Sequence, residues 1–335
     1  MAAIRPRDLL SDGLLARLGG TSLAGWSAVG DDTAAILSRD IGKLGAVGYL
    51  KVALPPEFGG LGCTLRQAAC GQRRLARSAP LTASAVSAHL YWTGAAADAY
   101  RTGDNSARWI LLEAARGALF AGGHGTAGGD LHLADPQSRC EPAGESGYRF
   151  RDPAVLASVT PAWDWVAVHA VHPVPPVPPG RPGRPDAVLA FAGRGSRCTP
   201  AFRIARVQPA GSPADVFTTS AIAWGHSILA SVQYSDARRA FNAAVAAVEP
   251  VPAAPAGGHP LDQWPVAEAG LRLDAMKAKI AEITHPWPLV PEQAPDLGGQ
   301  RLISIFTMRH EVAEGAARVL DLTSQITSAP AIAAR

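Results

Sequence analysis

Long apolar runs, cysteine and aromatic side chains are all scarce in this chain of 335 residues. No stretch reaches the about 18 uninterrupted apolar residues that would read as a membrane-spanning helix. Met1 to Asp8 carries Arg5 and Arg7 and no apolar core of the kind a secretion signal needs, so the expected location is the cytoplasm, with no membrane partner. The four cysteines, Cys63, Cys70, Cys140 and Cys198, show neither CxxC nor Cys/His spacing, which argues against a metal site and for reduced, structural thiols. Charge is thin as well. Charged residues make up 18% of the chain and the net charge is +3, with Arg73 and Arg74 the nearest thing to a cluster, so nucleic-acid binding has no electrostatic footprint.

What is present is apolar and punctuated. With 47% hydrophobic residues the chain can bury a sizeable core. From Asp8 to Arg116 the pattern is helical, with helices expected over 31–44, 64–77, 80–100 and 106–116, the second opened by a Thr64/Gln67 capping box. Residues 118–210 change character to short alternating or apolar runs at 131–140, 147–150, 163–171 and 187–191, set between Gly and Pro. Beyond Ser212, a cap with Pro213 at the first helical position, long helices return over 213–248, 261–283 and 299–325. This predicts an α+β protein: an N-terminal helical domain (1–117), a small central β domain (118–210) and a C-terminal helix bundle (211–335). Pro173 to Pro185 holds seven prolines among thirteen residues and reads as an extended connection; the stretches 250–260 and 286–295 read as loops.

The most informative segment is Phe120 to Asp130, FAGGHGTAGGD. A short apolar strand, 118–121, runs into a loop whose glycines are Gly122, Gly123, Gly125, Gly128 and Gly129. Glycine lets successive backbone N–H groups turn toward a ligand, so such a loop suits the pyrimidine edge of a flavin or a phosphate; it is equally a plain turn.

Several pieces in order resemble the acyl-CoA dehydrogenase family. VALPPEFGGL (52–61) resembles its PEEFGGLG loop, FAGGHGTAGGD its FALTEPGAGSD strand and loop, GYRFRDPAVLAS (147–158) its GYxLNGxKxWIT hairpin, and 221–240 the helix holding GxAxxA. The resemblance implies a central β-barrel-like domain between two helical ones, a flavin between the β domain and the C-terminal bundle, and a homodimer or homotetramer. It implies an FAD-dependent oxidoreductase acting on an acyl thioester by dehydrogenation or on a small organic substrate by oxygenation. Where the family presents flavin- or substrate-facing side chains, this chain has Gly123, Leu156, Ser158 and Gly129, and only Ser158 keeps a hydroxyl. Flavin would then be held by the main chain at Gly122, Gly123, Gly125, Gly128 and Gly129, together with Ser158.

The catalytic carboxylate that the family places near the end of the bundle has no counterpart here. Glu311 and Glu314 read as solvated helix residues. Monooxygenases of this fold use a helix His and a β-domain Ser beside the flavin, and His89 and Ser158 match those positions. Either can do the work: imidazole exchanges a proton near neutral pH and a hydroxyl anchors an oxygen. Such enzymes borrow reduced FMN or FAD, which would make a flavin reductase a partner. His124, inside the glycine loop, is the third candidate. The alternative is a scaffold that has lost flavin, with no cofactor at all, and that catalyses a non-redox step or only binds a partner. Trp92, Trp163 and Trp165 read as core or as flavin wall, and His226, His285 and His310 as structural.

Overall fold

In the computed structural model the described residues are 3–18, 33–124, 138–142, 148–151, 156–157, 162–172, 186–193, 206–209, 216–248, 264–285 and 299–333. Helices come first: two short ones, α1 (Pro6–Leu9) and α2 (Gly13–Arg17), then α3 (Thr33–Ala46), α4 (Leu65–Ser78), α5 (Pro80–Arg101) and α6 (Arg108–Ala115). The helix α4 starts where its sequence says it should. Thr64 Oγ1 accepts from the Gln67 N–H at 3.1 Å and Gln67 Oε1 accepts from the Thr64 N–H at 2.9 Å, satisfying two donors of the open first turn. Ala79 separates it from α5, which takes Pro80 at its first position, where a missing N–H costs nothing.

Helix α5 is the central column of this half. It is buried on nearly every side, and its run of small residues lets neighbours approach closely. At Gly94 the approach is closest: a Cβ there would lie 2.3 Å from the indole of Trp224. That indole donates to the buried carboxylate of Asp98, one turn further on, at 2.7 Å, and Arg101 closes the other carboxylate oxygen at 2.9 Å. The PEFGG segment forms a tight turn after a short 3-10 turn at Pro56–Phe58; a Cβ on Gly60 would sit 2.1 Å from the Leu54 carbonyl oxygen, so only glycine fits.

Seven strands follow: β1 (Phe120–His124), β2 (Ser138–Pro142), β3 (Tyr148–Arg151), β4 (Leu156–Ala157), β5 (Trp165–His172), β6 (Asp186–Gly193) and β7 (Arg206–Pro209). The long strand β5 organises them. Along one edge β6 pairs antiparallel with all eight residues, and β7 pairs with β6. The other edge is shared, with β1 parallel to Trp165–Ala167 and β2 parallel to Ala170–Val171. The sheet continues to β3 beyond β2 and to β4 beyond β1. Among the described residues no ladder closes this sheet into the barrel that the resemblance implies.

The chain then returns to helices α7 (Val216–Val248), α8 (Trp264–Thr284) and α9 (Gly299–Ala333). Helix α7 packs on α4 and α5 as well as on α8 and α9, and one hydrophobic core runs through both helical groups and the start of the sheet. Within that core an aromatic cluster joins them: Phe191 of β6 meets Trp92, Trp109 and Phe120 edge to face at 5.2 to 5.9 Å, and Trp92 stacks on Phe217 of α7. Helix α9 runs eight residues past the expected end at Gln325, and β4 and β7 were not expected from the sequence. The three proline-rich connections, and the Ser212 cap, lie outside the described residues.

Candidate functional site

The glycine-rich segment begins at a seam in the sheet. Phe120, Ala121 and Gly122 pair with Trp165, Val166 and Ala167 of β5; from Gly123 onward β1 pairs instead with β4, Gly123 opposite Ala157 and His124 opposite Leu156. On β5, among the described residues, neither β1 nor β2 pairs with Val168 and His169. Backbone at Gly123 is thus approached by no side chain of its own, and the two-residue ladder to β4 places the end of the FAGGH strand beside the end of the hairpin. Gly122 is buried. Of the other residues predicted to hold flavin, Gly125, Gly128, Gly129 and Ser158 lie outside the described residues, as does the side chain of His124.

The start of β1 is fixed by three independent ties. The Leu119 N–H donates to the Asp164 carboxylate at 2.9 Å, while the Leu119 carbonyl accepts from the N–H groups of Asp164 and Trp165 at 2.9 and 3.0 Å. The third tie is His89, reaching down from α5. Its Nδ1 accepts from the Phe120 N–H at 3.4 Å, which leaves the proton on Nε2, and Nε2–H donates to the Leu50 carbonyl at 2.7 Å. The ring is 2% exposed and lies 6.1 Å from the Phe120 ring, nearly parallel to it. Burial penalises the imidazolium and pushes its pKa down to about 4, against smaller opposing effects of the Leu50 carbonyl and Asp164. His89 is therefore a neutral imidazole with both nitrogens given to main chain. The sequence pairs it with Ser158 beside a ligand; in this geometry neither ring nitrogen is left for one.

The other candidates are placed plainly. Trp92 is core, and Trp165 stands at the head of β5 with its ring 5.3 Å from Trp109. Glu311 is exposed and lies 3.9 Å from Lys279 on the outside of the bundle, and Glu314 is exposed on the same helix. His226 is buried against Phe306, whereas His285 and His310 are exposed. Burial pushes the Cys63 thiol up to about 12, so it is protonated and inert at neutral pH. Among the described residues no group of three or more His, Cys, Asp or Glu could hold a metal ion, and no helix is long and apolar enough to cross a membrane.

At this seam the described part of the glycine-rich segment, Gly122 and Gly123, offers main chain and no side chain, so a flavin there would be held by backbone groups. Asp164 and Leu50 were missed by sequence reasoning as parts of the site's support. Asp164 carried a weak signal, an acid between two tryptophans at the head of a strand; the Leu50 carbonyl carried none.

No protein-family model and no curated protein matches the sequence. Solved structures do match in fold. KijD3, in complex with FMN and a dTDP-linked amino keto sugar, shares 20% identity over 99% of this chain and 86% of its own, with a TM-score of 0.70. A nitrososynthase from Micromonospora carbonacea var. africana shares 18% over 98% and 89%, with a TM-score of 0.67. FMN-bound TdsC from Paenibacillus sp. A11-2, a dibenzothiophene monooxygenase, shares 16% over 98% and 87%, with a TM-score of 0.65. The fold of this chain is thus the acyl-CoA dehydrogenase-like α+β fold of these flavin-dependent enzymes.

Proposed function

We propose that this protein is a flavin-dependent oxidoreductase that oxygenates a small organic substrate, using reduced FMN delivered by a separate flavin reductase. The observation that carries the reading is the seam at Gly123, where the glycine-rich run begins and β1 passes from pairing with β5 to pairing with β4, in a chain that matches the fold of FMN-bound structures over 98–99% of its length. The resemblance alone implied FAD and left acyl-thioester dehydrogenation open. FMN is preferred here because two of the fold's matches hold it and because a main-chain site suits a flavin borrowed for one turnover better than one kept for life.

When bound, the flavin would supply the redox chemistry. The chain's own contribution is positional. Gly122 and Gly123 present backbone to the ring edge. His89, Leu50 and Asp164 hold the start of β1 in place, so His89 is a positioning residue in this reading. Ser158 and His124 remain the side chains proposed to meet substrate or oxygen, one following β4 and one on β1 opposite it. Self-association as a homodimer or homotetramer is proposed with the function, supported by the exposed Leu271, Ile303, Phe306 and Leu320 on α8 and α9.

The reading is tested by anaerobic titration with reduced FMN, reduced FAD and the oxidised forms, followed by fluorescence and thermal shift. Reduced FMN should bind most tightly, with stabilisation growing as its concentration passes the dissociation constant. A second reading, a scaffold without flavin that acts on a non-redox substrate, draws on the commitment of both His89 nitrogens to backbone. Failure of every flavin form to bind would favour it.

A further inference from the structure

A polar groove of about 330 Å³ lies where α4, α7 and α8 meet, lined in part by Asp12, the residue that precedes α2. Three helices each turn one face into it: Arg73 and Arg77 from α4, Arg238 and Asn242 from α7, Lys277 from α8, at the three- and four-residue spacings that share a helix face. Counting Arg74, five cationic side chains face two carboxylates, Asp12 and Asp274.

The cations divide into two sets by what they already touch. Arg74 is structural: its guanidinium donates to the Leu9 and Leu10 carbonyls at 3.1 and 2.7 Å and pins the α1–α2 turn onto α4. Asp12 is consumed by Arg74 at 3.7 Å and Arg77 at 3.3 Å. Arg73 lies over the ring of Tyr234, and its backbone carbonyl accepts from Ser235 at 2.6 Å, which locks α4 to α7 at the groove floor. Among the described residues no carboxylate lies within 4 Å of Arg73, Arg238 or Lys277. Three positive charges thus converge on one concave surface without a counter-charge in contact, a distribution that concentrates an anion between them.

We infer that this groove is a binding site for a diphosphate-bearing small molecule. Guanidinium forks match phosphate oxygens in pairs and Lys277 adds a point charge, while Ser235 and Asn242 supply neutral polar neighbours. The volume sits at the small end of the about 300–1,000 Å³ typical of ligand sites, room for a diphosphate with a modest attached group. The flavin seam plays no part in this assignment.

Calorimetric titration of the full chain with inorganic pyrophosphate and, separately, ADP tests it. Saturable binding is expected with both, weakening between about 0.01 M and 0.15 M salt as the Debye length shrinks from about 30 to 8 Å. Arg238→Ala and Lys277→Ala should each weaken it about tenfold or more, as loss of a charge-assisted hydrogen bond does. Arg272→Ala, on an exposed face of α8 beside Glu268, should leave it unchanged. Tighter binding of ADP than of pyrophosphate would identify the ligand as a nucleotide, and equal binding a bare diphosphate; both support the site. Absence of saturable binding, or equal losses in Arg238→Ala, Lys277→Ala and Arg272→Ala, would overturn it.

Discussion

His89 shows how one side chain can look chemical and act mechanically. Its partners, the Leu50 carbonyl and the Phe120 N–H, are 39 and 31 residues away and are both backbone groups, so no side-chain pattern could have announced them. An imidazole on a helix in this fold resembles a catalytic group until its nitrogens are accounted for. An unfolded His titrates near its ordinary value of 6.5 and the buried ring near 4, so between those values the unfolded chain binds the extra proton and stability falls as pH drops. The full effect is on the order of 3 kcal/mol. Urea unfolding of wild type and His89→Ala at pH 7 and pH 5 checks it: the variant should be weaker by roughly 2–5 kcal/mol at pH 7, from two orphaned backbone groups, with a smaller loss between the two pH values. At Gly94 the argument is steric. Gly94→Ala forces a methyl into the Trp224 indole at 2.3 Å, and overpacking should cost about 1–3 kcal/mol by denaturant midpoint, despite alanine's better helix propensity.

At the scale of elements, helices were legible and strands only partly so. The Thr64/Gln67 box and Pro80 mark helix starts by local chemistry that tertiary packing does not override, and α4 and α5 begin within a residue of where these signals lie. Thr64→Ala should cost about 1 kcal/mol, read as a drop in thermal midpoint without change in flavin affinity. By contrast β4 is two residues long and β7 ends on Pro209; neither offers enough alternation to read, and both exist because a neighbouring strand supplies their ladder. The seam itself was half legible. The glycines of FAGGH mark the segment, but only the pairing of β1 first with β5 and then with β4 shows where in the sheet it sits.

At the scale of the molecule, the α–β–α succession follows from where apolar periodicity changes from helical to strand-like and back. The flanking helical groups meet because α7 runs past α4 and α5 into the C-terminal bundle, giving one continuous core. The apolar residues that this core leaves outside predict assembly. Light scattering should report a dimer or larger, and Ile303→Lys with Phe306→Lys should lower the mass toward a monomer with the helical content kept. The central claim, that flavin sits on the main chain at Gly123, is tested most directly by titrating reduced FMN side by side into wild type and Gly123→Val. A valine in a strand leaves the pairing with Ala157 possible but places a branched side chain beside the backbone donors. Saturable binding by wild type, with affinity at least about tenfold weaker in the variant at unchanged thermal midpoint, is the expected result. Equal binding by both, or none by wild type, would contradict it.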